Sequence, residues 1–369
     1  MNKTIVFTGG GSAGHVSANL ALIAKCVEEK WDIHYMGSKY GIERKLVSEI
    51  EQVTYHTVST GKLRRYFSWD NLKDVFKVVK GVFQAYRLIK KLRPAVVFSK
   101  GGFVSVPVVL GARLCKVPVI IYEPDLNMGL ANKIAFPFAS KVCAAFQDTV
   151  KKHSSPKTIH VGPIIRQTLK EGHADRGKKA CNFIDDQPVL LIMGGSQGAQ
   201  TINEIVKRVR HDLGQRYQII HICGKGKMDE TAWMPGYASF EYVGKELPDF
   251  LAMADIVVSR AGSNSIMELL VLQKPMILIP HANGASRNGQ LANAQYFQNE
   301  GYAEQLLEQQ MTPESFCETI DKVYKNRQVY SENMEKHQEG GGAERTMALI
   351  REAIGVESQM RNMDRLGMK

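Results

Sequence analysis

The six cysteines of this 369-residue chain (Cys26, Cys115, Cys143, Cys181, Cys223 and Cys317) are scattered, and no two form a CxxC pair. That spacing suits neither a zinc site nor a disulfide framework, and it fits buried thiols of a reducing compartment. No run of about 18 apolar residues occurs, so no segment is expected to cross a membrane. The chain opens Met-Asn-Lys and passes at once into a strand-like run, leaving no room for a signal peptide. No two aspartates stand two apart, so the DxD motif that holds a metal with a nucleotide diphosphate is missing. Acid is also missing where a nicotinamide site would need it. The second strand-like run, "DIHYMGSKYG", ends in Gly-Ser-Lys rather than in a residue that could hold ribose hydroxyls, which argues against a dinucleotide enzyme.

What the chain does contain is alternation. Apolar runs ("TIVFT", "DIHYMG", "AVVFSK", "PVIIYE", "KVCAAF", then "PVLLIMG", "YQIIHICG", "FEYVG", "ADIVVSR", "PMILIP") are separated by helical patterns. Such alternation predicts parallel sheets covered on both faces. In the first helix, Val16, Leu20, Ile23 and Val27 form the expected apolar stripe. One similarity organises the whole. "TIVFTGGGSAGHVSANLALI" and "VLLIMGGSQGAQTINEIVKR" are both strand, glycine turn and helix, and the second begins about halfway along. Two Rossmann-like α/β units in tandem follow, joined near the polar stretch 170–188.

Four glycine turns are candidates for chemistry. "GGGSAGHV" (9–16) places His15 at the start of a helix. There the positive end of the helix dipole keeps an imidazole neutral and able to accept a proton, so a general base is favoured over a packing residue. "SKGGFVSVP" (99–107) allows close backbone approach at the same sheet edge, or is simply a tight turn. "MGGSQGAQ" (193–200) sets Ser196 at a helix start, where it caps the helix or binds phosphate. "SRAGSNSIMELL" (259–270) repeats that design, and two such helix N-termini make a diphosphate site without metal. Glu268, on the helix after the fourth turn, can accept hydrogen bonds from a ribose diol or lie solvated.

Charge is divided unevenly. Residues 1–164 carry 24 Lys/Arg against 11 Asp/Glu, whereas residues 165–369 carry 24 against 26. The basic excess of the first half predicts an anionic partner. It is densest in 62–93, where Val75, Val79, Phe83 and Tyr86 keep helical spacing among Lys73, Lys77, Lys80, Arg87 and Lys91. A basic amphipathic helix of this type suits an anionic membrane surface, the alternative being a core-packed helix with a solvated face. Nucleic acid fits less well, because the loops look built for a diphosphate rather than for a backbone track.

"GGGSAGHV", "KGGFVSVP", "YEPDLNMGLANK", "VGPIIR", "MGGSQGAQ", "SRAGSNSIME" and "GQLANA", in that order, resemble the MurG family. These are bacterial glycosyltransferases that add N-acetylglucosamine to lipid I, forming lipid II of peptidoglycan. The likeness runs from the first strand to about residue 350. It implies a GT-B fold, with two Rossmann-like parallel-sheet domains facing a central cleft. It further implies an inverting, metal-independent hexosyltransferase with no cofactor. The first domain (1–164) would hold lipid I and the membrane, and the second (165–369) UDP-GlcNAc, with the last helix packing back on the first.

The resemblance also assigns residues. On the donor side it points to Arg166, to Ser196 for phosphate, to Ser263, Asn264 and Ser265 for the diphosphate and sugar, and to Glu268 for ribose. Gln290 would lie near the sugar, and the backbone of Val243 would face the uracil. On the acceptor side it points to His15 as base, Glu123 as a nearby acid, and Ser12, Gly14 and Asp125 as binding residues. Three positions depart from the usual pattern. Asp125 stands where many members have asparagine, a single Gln290 stands where many have paired glutamines, and "PIIR" replaces Asn-Pro-Val-Arg. The implied setting is peripheral attachment to the cytoplasmic face of the cell membrane, with contacts to other cell-wall synthesis proteins and roles in cell shape and division. Two other readings share parts of the pattern: a GT-B transferase onto another lipid such as diacylglycerol, and a non-catalytic membrane-associated sugar-nucleotide sensor.

Overall fold

The apolar runs of the sequence become short parallel strands buried on both faces, as covered sheets require. The computed structural model describes residues 3–12, 14–61, 69–183, 186–195, 198–228, 234–281, 287–336 and 341–365. The chain divides into two compact units, Met1–Arg166 with Gly341–Lys369, and Gln167–Gly340.

The first unit holds strands β1 (Thr4–Thr8), β2 (Asp32–Gly37), β3 (Val53–Thr57), β4 (Val96–Ser99), β5 (Val119–Glu123), β6 (Lys141–Ala144) and β7 (Thr158–His160). They form a seven-stranded sheet in the order β3-β2-β1-β4-β5-β6-β7. Helices α1 (Gly14–Glu28), α2 (Ile42–Ser48), α3 (Trp69–Leu92), α4 (Ser105–Leu114), α5 (Leu130–Ala135) and α6 (Gln147–Lys152) connect them. Strand order reverses between the neighbours β1 and β4, which sets the switch point of the sheet at its carboxyl edge. Ser12, Gly14 and His15 follow β1, and Glu123 ends β5 with Asp125 just after it, all at the carboxyl ends of their strands.

The second unit repeats the plan. After α7 (Ala174–Cys181) come β8 (Val189–Met193), α8 (Gln200–Gly214), β9 (Gln218–Ile222), β10 (Tyr237–Phe240), α9 (Leu247–Met253), β11 (Ile256–Ser259), α10 (Ser263–Val271), β12 (Met276–Leu278), α11 (Arg287–Asn299), β13 (Ala303–Gln305), α12 (Pro313–Lys325) and α13 (Arg327–Lys336). The sheet order is β10-β9-β8-β11-β12-β13, with its own reversal between β8 and β11. Both units are thus Rossmann-like.

The final helix, α14 (Gly342–Arg365), belongs to the first unit. Glu344 and Arg351 form ion pairs with Lys25 of α1 and with Glu29 just past its end, and Arg345 Nε donates to the Val161 carbonyl at 2.7 Å. Beneath them, Met347 Sδ lies 4.0 Å from Cys26 Sγ, both residues fully buried. The sequence placed a boundary after residue 164; the compact units divide after Arg166.

Three details differ from the sequence pattern. The buried side of α1 is Asn19, Leu22, Ile23 and Cys26 with Val16, while Leu20 and Val27 are only half-buried. This helix is covered by α14 as well as the sheet, so the apolar stripe is not its only buried face. The run "FEYVG" is not itself a strand: β10 lies at 237–240, where it pairs with β9, and Glu241 and Tyr242 are exposed beyond it. The edge strands β3, β7 and β13 were not anticipated, because short edge strands carry little apolar signal.

Candidate active site

In the first unit, β1 delivers the chain to Gly9, whose φ of +151° and tight surroundings demand glycine. A Cβ there would fall 2.7 Å from the His15 carbonyl oxygen and 3.2 Å from Lys100 Cβ. The β4 turn interlocks with it. Gly102 (φ +80°) would press a Cβ to 2.3 Å from the Gly10 oxygen and 3.2 Å from His15 Cγ. Two glycine turns from neighbouring strands therefore close on His15, the first against its carbonyl oxygen and the second against its ring, and His15 sits in the first turn of α1 with Gly14. Its Nδ1 lies 2.8 Å from Ser12 Oγ. Burial, then the nearby Lys100 charge, lowers the His15 pKa to about 4, so the ring is neutral at physiological pH.

Glu123 ends β5 at the same edge and is buried. Its Oε1 accepts from the Asp125 N–H at 3.0 Å, and its Oε2 accepts from the Gly129 N–H at 2.9 Å and from Asn132 Nδ2 at 3.0 Å. Burial, reinforced by the Asp125 charge, raises its pKa to about 7. Asp125 itself is half-buried. Ser12, Gly14 and His15 thus follow β1, and Glu123 and Asp125 end and follow β5, with β4 between the two strands.

Three residues of this cluster escaped the sequence reading. Lys100, directly after β4, is 1% exposed, with Nζ 5.3 Å from the Tyr122 ring centroid. Asn132 orients Glu123, as above. Glu43 on α2 is fully buried and accepts from the Gly11 N–H (3.2 Å), the Ser38 N–H (3.0 Å) and the Ser38 hydroxyl. The Gly11 N–H is therefore held by a carboxylate. A charged residue at the end of an apolar run, as in "VVFSKGG", was the available signal for Lys100.

In the second unit the corresponding edge is less complete among the described residues. Ser196 and the stretch 62–68 of the basic region lie outside them. Gly262, directly before α10, would carry a Cβ into open space, as would Gly195 (φ +85°) after β8. Ser263, Asn264 and Ser265 form the first turn of that helix, with no side-chain cap. Such a terminus presents N–H groups to an anion. Glu268 lies one turn on and is half-buried. Gln290 on α11 is committed in part, since its Oε1 accepts from the His281 N–H at 3.2 Å. The Val243 side chain is buried after β10. Beneath α10, Arg260 pairs with Glu308 and donates to the Ile279 carbonyl at 3.1 Å. Arg166 is half-buried and closes the first unit. Among the described residues no group of three His, Cys, Asp or Glu side chains is arranged to hold a metal.

The N-terminal domain of glycosyltransferase family 28 matches residues 5–144, and its C-terminal domain matches residues 189–349. A UDP-N-acetylglucosamine–N-acetylmuramyl-(pentapeptide) pyrophosphoryl-undecaprenol N-acetylglucosamine transferase of Bacillus cereus is 53% identical over 90% of this chain and 94% of its own. The chain belongs to this family. A transferase of the same name from Geobacillus thermodenitrificans is also 53% identical, over 95% of this chain and 99% of its own. Family membership makes the protein a glycosyltransferase. Among solved structures, MurG of Acinetobacter baumannii superposes with a TM-score of 0.72 at 22% identity, covering 95% of this chain and 99% of that one. A calicheamicin glycosyltransferase gives 0.71 at 14% identity, covering 95% and 98%. The GT-B fold is common to all of them, while the acceptor named for the family relatives belongs to those near in sequence.

Proposed function

We infer that the protein moves N-acetylglucosamine from UDP-GlcNAc to the C4 hydroxyl of the muramyl sugar of lipid I, giving lipid II. The arrangement that carries the reading is the neutral His15–Ser12 pair, clasped by two glycine turns at the switch point of the first sheet. With Nδ1–H donated to Ser12 Oγ, the Nε2 lone pair is left to take the hydroxyl proton. The C4 oxygen then attacks the anomeric carbon as the bond to UDP breaks, and a single in-line displacement inverts that centre. Glu123 and Asp125 line the acceptor side.

The donor falls to the second unit. Glu268 takes the ribose diol, and Ser196 and the first turn of α10 (Ser263, Asn264, Ser265) meet the diphosphate; Arg166, which ends the first unit, is the remaining donor residue the family resemblance assigns. There N–H groups stabilise charge developing on the leaving UDP. Gln290 lies by the sugar and Val243 by the uracil. The names of the family relatives favour lipid I over a different lipid acceptor.

The acceptor is lipid-borne, and the outer face of α3 suits attachment to an anionic membrane. Phe76 is 69% exposed, Val79 61%, Phe83 53% and Val75 46%, while Gly81, Ala85 and Ile89 face inward. Lys77, Lys80, Arg87, Lys90 and Lys91 border the exposed apolar residues, and the Arg87 guanidinium stacks 4.2 Å above Phe83. No helix of the described residues is long and apolar enough to span a membrane. Apolar wedging plus cationic attraction gives peripheral binding at the cytoplasmic face. The deciding assay is UDP release from UDP-GlcNAc with and without a lipid I analogue. Release that does not depend on the analogue would overturn the reading.

A further inference from the structure

Lys100 has no part in the reaction just described, yet it lies at its centre. The Lys100 N–H bonds the Thr8 carbonyl at 3.1 Å, locking the residue between the ends of β4 and β1. Its Nζ lies over the Tyr122 ring, next in the chain to Glu123, and the charges of Glu123 and Asp125 act on the ammonium. Stability alone gives little reason for a lysine here. Burying an ammonium costs desolvation that nearby carboxylates at best offset, and apolar replacements of buried charges are often neutral or stabilising. A fully buried ammonium beside a reacting edge is better accounted for by what its charge does.

We propose that Lys100 is a positioning residue for the transfer, whose buried ammonium serves as counter-charge to Glu123 and Asp125 and thereby sets the proton balance between those carboxylates and His15. This rests on the transferase reading, with His15 as base. The groups that face the ammonium are His15 from α1, and Tyr122, Glu123 and Asp125 from β5 and its loop. Glu43 reaches the adjoining glycine turn from α2. Burial draws the Lys100 pKa down to about 8, against the pull of the two carboxylates, so the side chain is still charged near neutrality. That charge disfavours an imidazolium at His15 and favours ionised Glu123. Without it, an imidazolium at His15 would be less disfavoured, and the base would be lost at a higher pH on acidification.

The test is the substitution Lys100→Met, read by NMR titration of the His15 imidazole and by the pH profile of kcat/KM. The His15 pKa should rise by roughly 0.5–1 unit, the scale of one neighbouring charge, and the acidic limb of kcat/KM should follow it. Lys100→Arg, which keeps the charge, should leave the His15 pKa near its original value. An unmoved His15 titration in the methionine variant, or an equal shift in the arginine variant, would overturn the proposal. Should the methionine variant fail to fold, the wild-type lysine signal decides: an ammonium already neutral at pH 6 cannot be the counter-charge. A separate failure is visible for the underlying reading. Normal turnover in His15→Ala would remove the base assignment, while the imidazole titration would still report on Lys100.

Discussion

Replacing His15 by alanine removes a group whose charge state the structure defines. With a pKa of about 4, roughly one imidazole in a thousand carries the extra proton at pH 7, so nearly every molecule holds the base in its working form. General base catalysis is worth about 10²–10⁴-fold, and kcat should fall by that factor, or about 3–5 kcal/mol of transition-state stabilisation. UDP affinity, measured by calorimetry, should hardly change, because the donor contacts are assigned to other residues. The pH profile is the sharper readout. A base loses activity as pH falls through its pKa, so wild-type kcat/KM should be flat from about pH 5.5 to 8 and bend only near 4. Glu123, raised to about 7, would instead bend the profile near neutrality. A UDP-release assay across this range, with circular dichroism at each end, separates the two. A folded His15→Ala protein with near-normal kcat, or a wild-type limb near pH 7, would refute the assignment and transfer the role to Glu123.

Three further outcomes are expected. Glu268→Ala should raise the KM for UDP-GlcNAc and weaken UDP binding by roughly 1–3 kcal/mol, the worth of one charge-assisted hydrogen bond; unchanged calorimetric affinity would remove it from the donor site. Glu43→Ala should lower stability by roughly 2–3 kcal/mol in denaturant unfolding, since it strands the Gly11 and Ser38 donors, and a surface-like loss below about 0.5 kcal/mol would contradict the buried clamp. Replacing Phe76 and Phe83 together by serine should weaken binding to anionic vesicles, and high salt should weaken it further; equal binding of wild type to neutral vesicles would argue against the charged-surface account.

Much of this was legible from the sequence, for identifiable reasons. Parallel strands such as "TIVFT" and "VLLIM" are apolar throughout because both faces are covered, and glycine turns are unmistakable where two strand ends interlock. His15 stood out because a histidine at a helix start beside a glycine turn is favoured as a base over a packing residue. Lys100 and Glu43 did not, because each owes its burial to partners distant in sequence. "GIERKLVS" reads as an ordinary solvated helix until Gly11 and Ser38 are brought against its glutamate. Local pattern cannot reveal a contact made by topology. Gln290 shows the converse, since a residue singled out for a ligand also holds the backbone at His281.

The return of α14 to the first unit has a consequence for the order of events during synthesis. Residues 167–340 are in effect an insertion within a discontinuous first unit. The inserted unit has all its strands before the last helix leaves the ribosome, so it can finish folding first. The N-terminal sheet, made earliest, must wait with the α1 surface around Cys26 uncovered until Met347 and Ile350 arrive. A nascent chain stalled before residue 341 would therefore display a finished C-terminal unit and an unfinished N-terminal one, the reverse of the order in which they were made.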